Sequence, residues 1–231
     1  MVSPSSQQGK ASGAALGLMG GTFDPVHYGH LRLAEEAADH LGLERVRWIP
    51  SGNPGHRAAP RTPARHRLEM VRIAVRDNPR FAVDDAEALD ALPRFTIDTL
   101  RRLRAELGAA RPLVFIIGTD QLHKLDTWRA WRELFDHAHF AVAERPGYRL
   151  EPERLPPAVA AEWQRRAVEP ARLSERPAGA MSAFPMTALA ISASDIRRRL
   201  AARASVRYLL PPEVLAYIGT HALYPEETKA V

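Results

Sequence analysis

The sequence predicts an α/β protein whose Rossmann-like parallel sheet carries helices on both faces. Short apolar runs at residues 16–19 and 113–117 both end at glycine, as strands buried on both faces of a parallel sheet do. Between such runs, apolar residues recur at three- and four-residue spacing, which indicates amphipathic helices. Strands that alternate with helices in this way imply right-handed crossovers between parallel strands.

The predicted elements can be placed in order along the chain. Strands are expected at 16–19, 46–49, 81–83, 113–117 and 140–143. Helices are expected at 28–41, 64–77, 96–107, 131–135, 194–202 and 212–219. The segment 148–180 is rich in Pro, Glu, Arg and Ala, and we expect a partly ordered insertion or a short helix there.

Length and composition favour one soluble globular domain. The chain has 231 residues, of which 45% are hydrophobic and 26% charged. We expect a disordered tail at 1–13, a single domain over 14–223 and a C-terminal tail at 224–231. No apolar run approaches the roughly 20 residues that span a bilayer, and the absence of cysteine excludes disulfides and thiolate metal sites. These features predict a cytoplasmic protein without a membrane partner.

The net charge of +5 is compatible with two kinds of partner, nucleic acids and small anionic substrates such as nucleotides. Seven arginines fall between residues 57 and 80, and their density favours a solvated helix face. The chain contains no run of five or six like charges, so a polybasic tail is not predicted.

The first chemical motif follows the first strand. Gly20, Gly21 and Thr22 end that strand, and glycine allows a ligand to approach the backbone closely. A helix beginning near Tyr28 would direct free N–H groups and a positive dipole end at an anion. His27 and His30, three residues apart, are expected to share one helix face and to donate hydrogen bonds to a phosphate.

Other interpretations of this motif fit the sequence less well. Zinc would need further ligands, and neither the glutamate of an H-E-x-x-H motif nor a third ligand follows. The G-x-G-x-x-G dinucleotide motif and the P-loop are both absent from the chain. The pattern therefore favours phosphoryl or nucleotidyl transfer over hydride transfer.

The stretch from Gly21 to His30, GTFDPVHYGH, resembles the signature of the HxGH nucleotidyltransferase superfamily and is most similar to bacterial nicotinate-nucleotide adenylyltransferases. The resemblance implies that His27 and His30 bind the ATP phosphates and stabilise the transition state. It extends almost continuously from Leu16 to about Leu223, with poor coverage of residues 150–180.

A second segment, 191–197 (ISASDIR), is similar to the family motif I-S-S-T-x-I-R, which holds ATP phosphates. From the residues alone, Ser194 can cap a helix there and Asp195 suits its positive dipole end. The resemblance gives Arg197 a catalytic role. The full ATP-binding set that it implies is Gly20, Gly21, Thr22, Phe23, His27, His30, Gly118, Asp120, Arg145, Ile191, Ser192, Ser194 and Arg197.

The acceptor side is assigned from three further similarities to the same family. They are the loop NPGHR at 53–57, the segment RFTIDTL at 94–100, and GTDQL at 118–122 followed by Trp128. The implied nicotinate mononucleotide-binding residues are Gly21, Thr22, Phe23, Asn53, His56, Arg57, Thr96 and Trp128. From residue type alone, Thr96 could equally cap its helix and Trp128 could be a core residue.

The implied activity is adenylyl transfer from ATP to nicotinate mononucleotide, which forms deamido-NAD and pyrophosphate in NAD biosynthesis. Mg²⁺ is expected with ATP, without a dedicated cage of protein carboxylates, and the protein is expected to be a monomer or small homo-oligomer. Adenylyl transfer to nicotinamide mononucleotide or phosphopantetheine is an alternative. A basic nucleic-acid-binding module is a non-enzymatic alternative, although no recognised nucleic-acid motif is present.

Overall fold

A computed structural model describes residues 13–52, 60–90, 92–144 and 150–225. It contains one six-stranded sheet in which every pairing is parallel. The strands are β1 (Leu16–Gly21), β2 (Arg45–Pro50), β3 (Phe81–Val83), β4 (Leu113–Gly118), β5 (His139–Glu144) and β6 (Met181–Pro185). Their order across the sheet is β3-β2-β1-β4-β5-β6. The predicted Rossmann-like sheet is confirmed.

The strand order reverses between β1 and β4. Leu16 pairs with Arg45 of β2 on one side and with Leu113 of β4 on the other. In open α/β sheets the crevice at such a reversal, beyond the carboxyl ends of the strands, is where ligands bind. Here those ends are Gly21 and Gly118.

Helices cover both faces of the sheet. They are α1 (Tyr28–His40), α2 (Ala64–Val75), α3 (Ala86–Leu89), α4 (Thr96–Leu107), α5 (Thr119–Leu122), α6 (Leu134–His137), α7 (Pro157–Arg166), α8 (Ala193–Ala201) and α9 (Pro212–Thr220). Three short 3₁₀ helices lie at Leu125–Thr127, Pro152–Arg154 and Pro170–Glu175.

Alternating side chains of the central strands feed two apolar cores. From β1, Met19 joins the core under α1, α2 and α9, whereas Leu18 joins the core under α4 and α6. From β4, Ile116 and Phe115 divide in the same way. Burial on both faces explains why these strands are apolar throughout rather than alternating with polar residues.

The fold contains one strand that the sequence did not predict and places one predicted helix differently. β6 was not predicted, because its five residues contain no β-branched side chain and follow a segment rich in Pro and Arg. The short helix expected at 131–135 lies instead at Leu134–His137, after a series of turns. Tyr224, assigned to the C-terminal tail, is only 9% exposed.

The segment 150–180 is more integrated than an insertion. It forms α7 between two of the 3₁₀ helices, as the expectation of a short helix allowed. Leu155, Val159 and Leu173 are buried in the two cores. The segment therefore contributes to folding of the domain itself.

Candidate active site

The turn that joins β1 to α1 is tightly constrained. Phe23 has a φ of +48°, an unusual value for a residue with a side chain. Its ring is buried between Trp48 and His30, with centroid separations of 5.3 and 5.1 Å. A Cβ on Gly21 would lie only 2.8 Å from that ring. Glycine at position 21 is therefore needed for the turn to close.

His27 and His30 form a stacked pair at the start of α1. His27 immediately precedes the helix, His30 is its third residue, and their ring centroids lie 3.7 Å apart. The backbone N–H of His27 donates to Nδ1 of His30 over 3.3 Å. Because that nitrogen accepts, the proton of neutral His30 belongs on Nε2.

Burial keeps both imidazoles neutral. It lowers the pKa of His27 to about 4. It also lowers the pKa of His30 well below its usual value, with a smaller contribution from His27. Each ring therefore has one N–H to donate at neutral pH, and the two rings do not repel each other as cations.

We expect the free energy of unfolding to decrease as the pH falls from 7 to 5. The unfolded chain takes up protons near pH 6.5, whereas folded His27 and His139 titrate only near 4 and His30 is shifted the same way. Each such histidine removes up to about 1.4 kcal/mol per pH unit within this interval. Denaturant titrations at several pH values measure the effect.

The double variant His27→Gln, His30→Gln should weaken this dependence without abolishing it. His139 remains, with Nδ1 accepting from the N–H of Ala180 and Nε2 donating to the carbonyl of Arg176. A double variant that retains the full wild-type pH dependence would contradict the assignment of neutral, buried rings.

A second helix terminus faces the same region. Ser192 caps α8, since its Oγ accepts the N–H of Asp195 over 3.2 Å. The expectation that Ser194 is the cap is wrong, because Ser194 lies inside the first turn. Arg197, one turn further on, donates to the carbonyl of Asp24 over 2.6 Å. The second motif is thereby joined to the β1–α1 turn.

These two helix starts border a cleft of about 1090 Å³. Of the residues predicted to bind ATP, those lining this cleft are Gly20, Gly21, Thr22, Phe23, His27, His30, Gly118, Asp120, Ile191, Ser192, Ser194 and Arg197. Two N-terminal helix dipoles, backbone N–H groups, two imidazoles and one guanidinium suit a polyphosphate.

A second cleft of about 740 Å³ adjoins the first. Gly20, Gly21 and Thr22 line both clefts, so one backbone segment forms their common wall. Thr96 and Trp128 line only the second. Phe23, predicted to contact both nucleotides, lines only the first, because its ring turns into the core beneath the turn.

The structure bears on the alternative interpretations of Thr96 as a helix cap and Trp128 as a core residue. Phe95 precedes α4, and its N–H donates to the Asp98 carboxylate over 3.2 Å, so Thr96 does not cap the helix. Trp128 is half-buried, with its ring edge-on to Phe115 at 6.2 Å. It therefore packs against the core while it also forms a wall of the second cleft.

Several lining residues of the second cleft were not predicted, and they include three with polar or ionisable side chains. These three are Ser51, which follows β2, Glu87 of α3, and Lys124. The Oγ of Ser51 is buried without a partner among the described residues. Burial raises the pKa of the Glu87 carboxyl, and a hydrogen bond from Thr99 partly opposes this. Ser51 was predictable in principle, since it follows the carboxyl end of β2.

Four residues that were predicted to bind the nucleotides are not described by the structure. Asn53, His56, Arg57 and Arg145 lie outside the described residues. Within the described ranges, no group of three or more His, Asp or Glu side chains could hold a metal ion. In the same ranges no helix is long and apolar enough to cross a bilayer.

The fold and the two clefts define the nucleotidyltransferase class of α/β protein, and comparison with known proteins agrees. Residues 18–199 match the model of the cytidylyltransferase-like family. A structure of Plasmodium falciparum nicotinic acid mononucleotide adenylyltransferase complexed with NaAD aligns with a TM-score of 0.70. It covers 92% of this chain and 98% of that one at 18% identity, which supports the fold.

Relatives with higher sequence identity identify the family within this class. A "Probable nicotinate-nucleotide adenylyltransferase" from Dechloromonas aromatica is 52% identical over 210 residues, covering 90% of this chain and 97% of that protein. A protein of the same name from Chromobacterium violaceum is 48% identical over 213 residues, covering 91% and 99%. The chain belongs to the nicotinate-nucleotide adenylyltransferase family.

Proposed function

We infer that this protein transfers the AMP part of ATP to nicotinate mononucleotide, forming deamido-NAD and pyrophosphate in NAD biosynthesis. Relatives of that name at 44–52% identity support this activity. The Plasmodium falciparum nicotinic acid mononucleotide adenylyltransferase that shares this fold is complexed with NaAD.

The observation that carries the proposal is the common wall of the two clefts. The segment Gly20 to Thr22 forms part of both. A nucleotide in each cleft would therefore have its phosphates close to the same backbone segment. Bringing two reactants together in this way is itself a large contribution to catalysis.

The reaction is an in-line displacement at the α-phosphorus of ATP. An oxygen of the acceptor 5′-phosphate forms the new P–O bond, while the bond to the β-phosphate breaks and pyrophosphate leaves with the electron pair. The acceptor phosphate is already ionised near neutral pH, because its second pKa is about 6. No side-chain base is needed, and catalysis rests on positioning and on charge stabilisation.

Three side chains stabilise the negative charge that builds up on the transferring phosphates. His27 and His30 each donate one N–H from a neutral ring, and Arg197 supplies a permanent positive charge. All three line the first cleft. Gly118, the last residue of β4, and Asp120 of α5 line the same cleft.

The acceptor occupies the second cleft, with the pyridine ring stacked on Trp128 and its carboxylate group near Thr96. The aromatic face of Trp128 suits that contact. Roles for Asn53, His56 and Arg57 on the acceptor side, and for Arg145 beside adenosine, are proposed from the family resemblance alone.

Mg²⁺ enters as part of the nucleotide substrate. It keeps most of its water ligands and usually binds through substrate phosphates rather than through a cage of protein carboxylates. The described residues offer no such cage. What the protein supplies at the phosphates are N–H donors and a guanidinium.

Pyrophosphate release from MgATP tests the proposal when three acceptors are offered separately. We expect the highest kcat/KM with nicotinate mononucleotide, a lower value with nicotinamide mononucleotide and none with phosphopantetheine. ATP alone is the control for hydrolysis. Release only with phosphopantetheine would overturn the proposed acceptor.

A further inference from the structure

Arg67 is a buried arginine of α2 that lies behind both clefts. Only 1% of its surface is exposed, so the expected solvated face does not include this residue. Its guanidinium donates three hydrogen bonds to backbone carbonyls: from Nε to Thr62 over 3.0 Å, from Nη1 to Thr22 over 2.7 Å and from Nη2 to Gly52 over 2.7 Å.

The three carbonyls belong to separate segments of the chain. Thr22 follows β1 and lines both clefts. Gly52 follows β2 and adjoins Ser51, which lines the second cleft. Thr62 precedes α2 and adjoins Arg61, which lines the first. One planar group thus connects the backbone under both nucleotide sites.

The chemistry of the contact makes it rigid. A guanidinium presents its donors in a fixed plane, and charge-assisted hydrogen bonds are about twice as strong as neutral ones. The Asp24 carboxylate provides the nearby opposite charge, and it accepts a hydrogen bond from the Tyr224 hydroxyl over 2.6 Å. The carboxylate that balances the charge of Arg67 is therefore itself held in place within the core.

We propose that Arg67 is a positioning residue that keeps the two nucleotides in register for in-line transfer. Arg67 is not among the described residues that line either cleft, so its effect is exerted through the backbone of Thr22 and Gly52. The proposal rests on the function inferred above, since it requires one substrate in each cleft.

The expected defect concerns turnover rather than binding. When Arg67 is lost, the side chains that contact each nucleotide remain in place. What changes is the position of the backbone at Thr22, after β1, relative to the backbone at Gly52, after β2. A misplacement of about 1 Å costs roughly 100-fold in rate. We therefore expect kcat to fall while both KM values change little.

Arg67→Lys tests this, because lysine keeps the charge but loses the planar set of donors. We expect kcat to fall about 100-fold, with KM for ATP and for nicotinate mononucleotide within about threefold of wild type. Calorimetric titration with each nucleotide separately should give near wild-type binding constants. Arg67→Gln provides a second variant without the charge.

Arg104→Lys is the matched control. Arg104, on α4, also donates to several backbone carbonyls, including those of Arg111 over 2.6 Å and Pro177 over 2.9 Å. These carbonyls lie near the first residue of β4, whereas the clefts lie at the carboxyl ends of the strands. The control should lower the melting temperature and leave kcat at the wild-type value.

The outcomes separate the two proposals. Wild-type protein that is inactive with nicotinate mononucleotide would overturn the proposed function. With an active wild type, three results would overturn the role of Arg67: equal kcat losses in Arg67→Lys and Arg104→Lys, a loss confined to KM, or failure of both Arg67 variants to fold while Arg104→Lys folds. The last result would assign Arg67 to folding alone.

Discussion

His30→Ala is expected to fold normally and to lose about 100- to 1,000-fold in kcat, the cost of removing one charge-stabilising donor from a site of this kind. The variant removes the Nε2–H group that would donate to the transferring phosphate. KM for nicotinate mononucleotide should change little, because His30 lines the first cleft and not the second, where the acceptor is proposed to bind. Steady-state kinetics with each substrate varied in turn measure both quantities.

Two further substitutions at this position test the tautomer. Nδ1 of His30 accepts the N–H of His27, which leaves Nε2 as the donor. Glutamine can place an amide N–H near the position of Nε2, whereas asparagine reaches only the position of Nδ1. His30→Gln should therefore retain more turnover than His30→Asn, and the reverse order would contradict the assignment.

His40→Ala is the matched control for His30→Ala. His40 is the last residue of α1, about 15 Å along the helix axis from His30 by the rise of 1.5 Å per residue. It is exposed and contacts neither cleft. The control should keep wild-type kcat, and near-normal turnover in His30→Ala itself would contradict the proposed role.

Local patterns were sufficient for the central part of the fold. β1 and β4 are apolar runs ended by glycine, and α1 and α4 have clear helical periodicity, so both signals are contained within about a dozen residues. β6 has no comparable local signal. It is a strand because β5 offers it an unpaired edge, and that interaction depends on residues some forty positions earlier.

In the candidate site, too, local patterns could be predicted and contacts between distant residues could not. The placement of His27 and His30 at a helix start follows from their spacing and from Gly20 and Gly21. The burial of Arg67 could not be predicted, because one arginine among seven in a basic stretch has no sequence feature that marks it as internal. Its carbonyl partners are up to 45 residues away, and only the folded chain brings them together.

Trp128→Ala is expected to raise KM for nicotinate mononucleotide by about 10- to 100-fold, since loss of an aromatic stacking partner costs about 1–3 kcal/mol per base. The ring lines the second cleft and lies edge-on against Phe115. It does not line the first cleft, so KM for ATP should stay within about twofold of wild type. Initial rates at saturating ATP give the acceptor constant directly.

The difficulty with this variant is that Trp128 also packs against the core, so truncation combines lost stacking with lost packing. Trp163→Ala is the matched control, because Trp163 is likewise half-buried against the same core but lies on α7 and does not line the second cleft. Trp128→Phe keeps an aromatic face and should give a smaller rise in KM. If Trp163→Ala raises the acceptor KM as much as Trp128→Ala does, the effect comes from packing, and the proposed stacking of the pyridine ring on Trp128 is wrong.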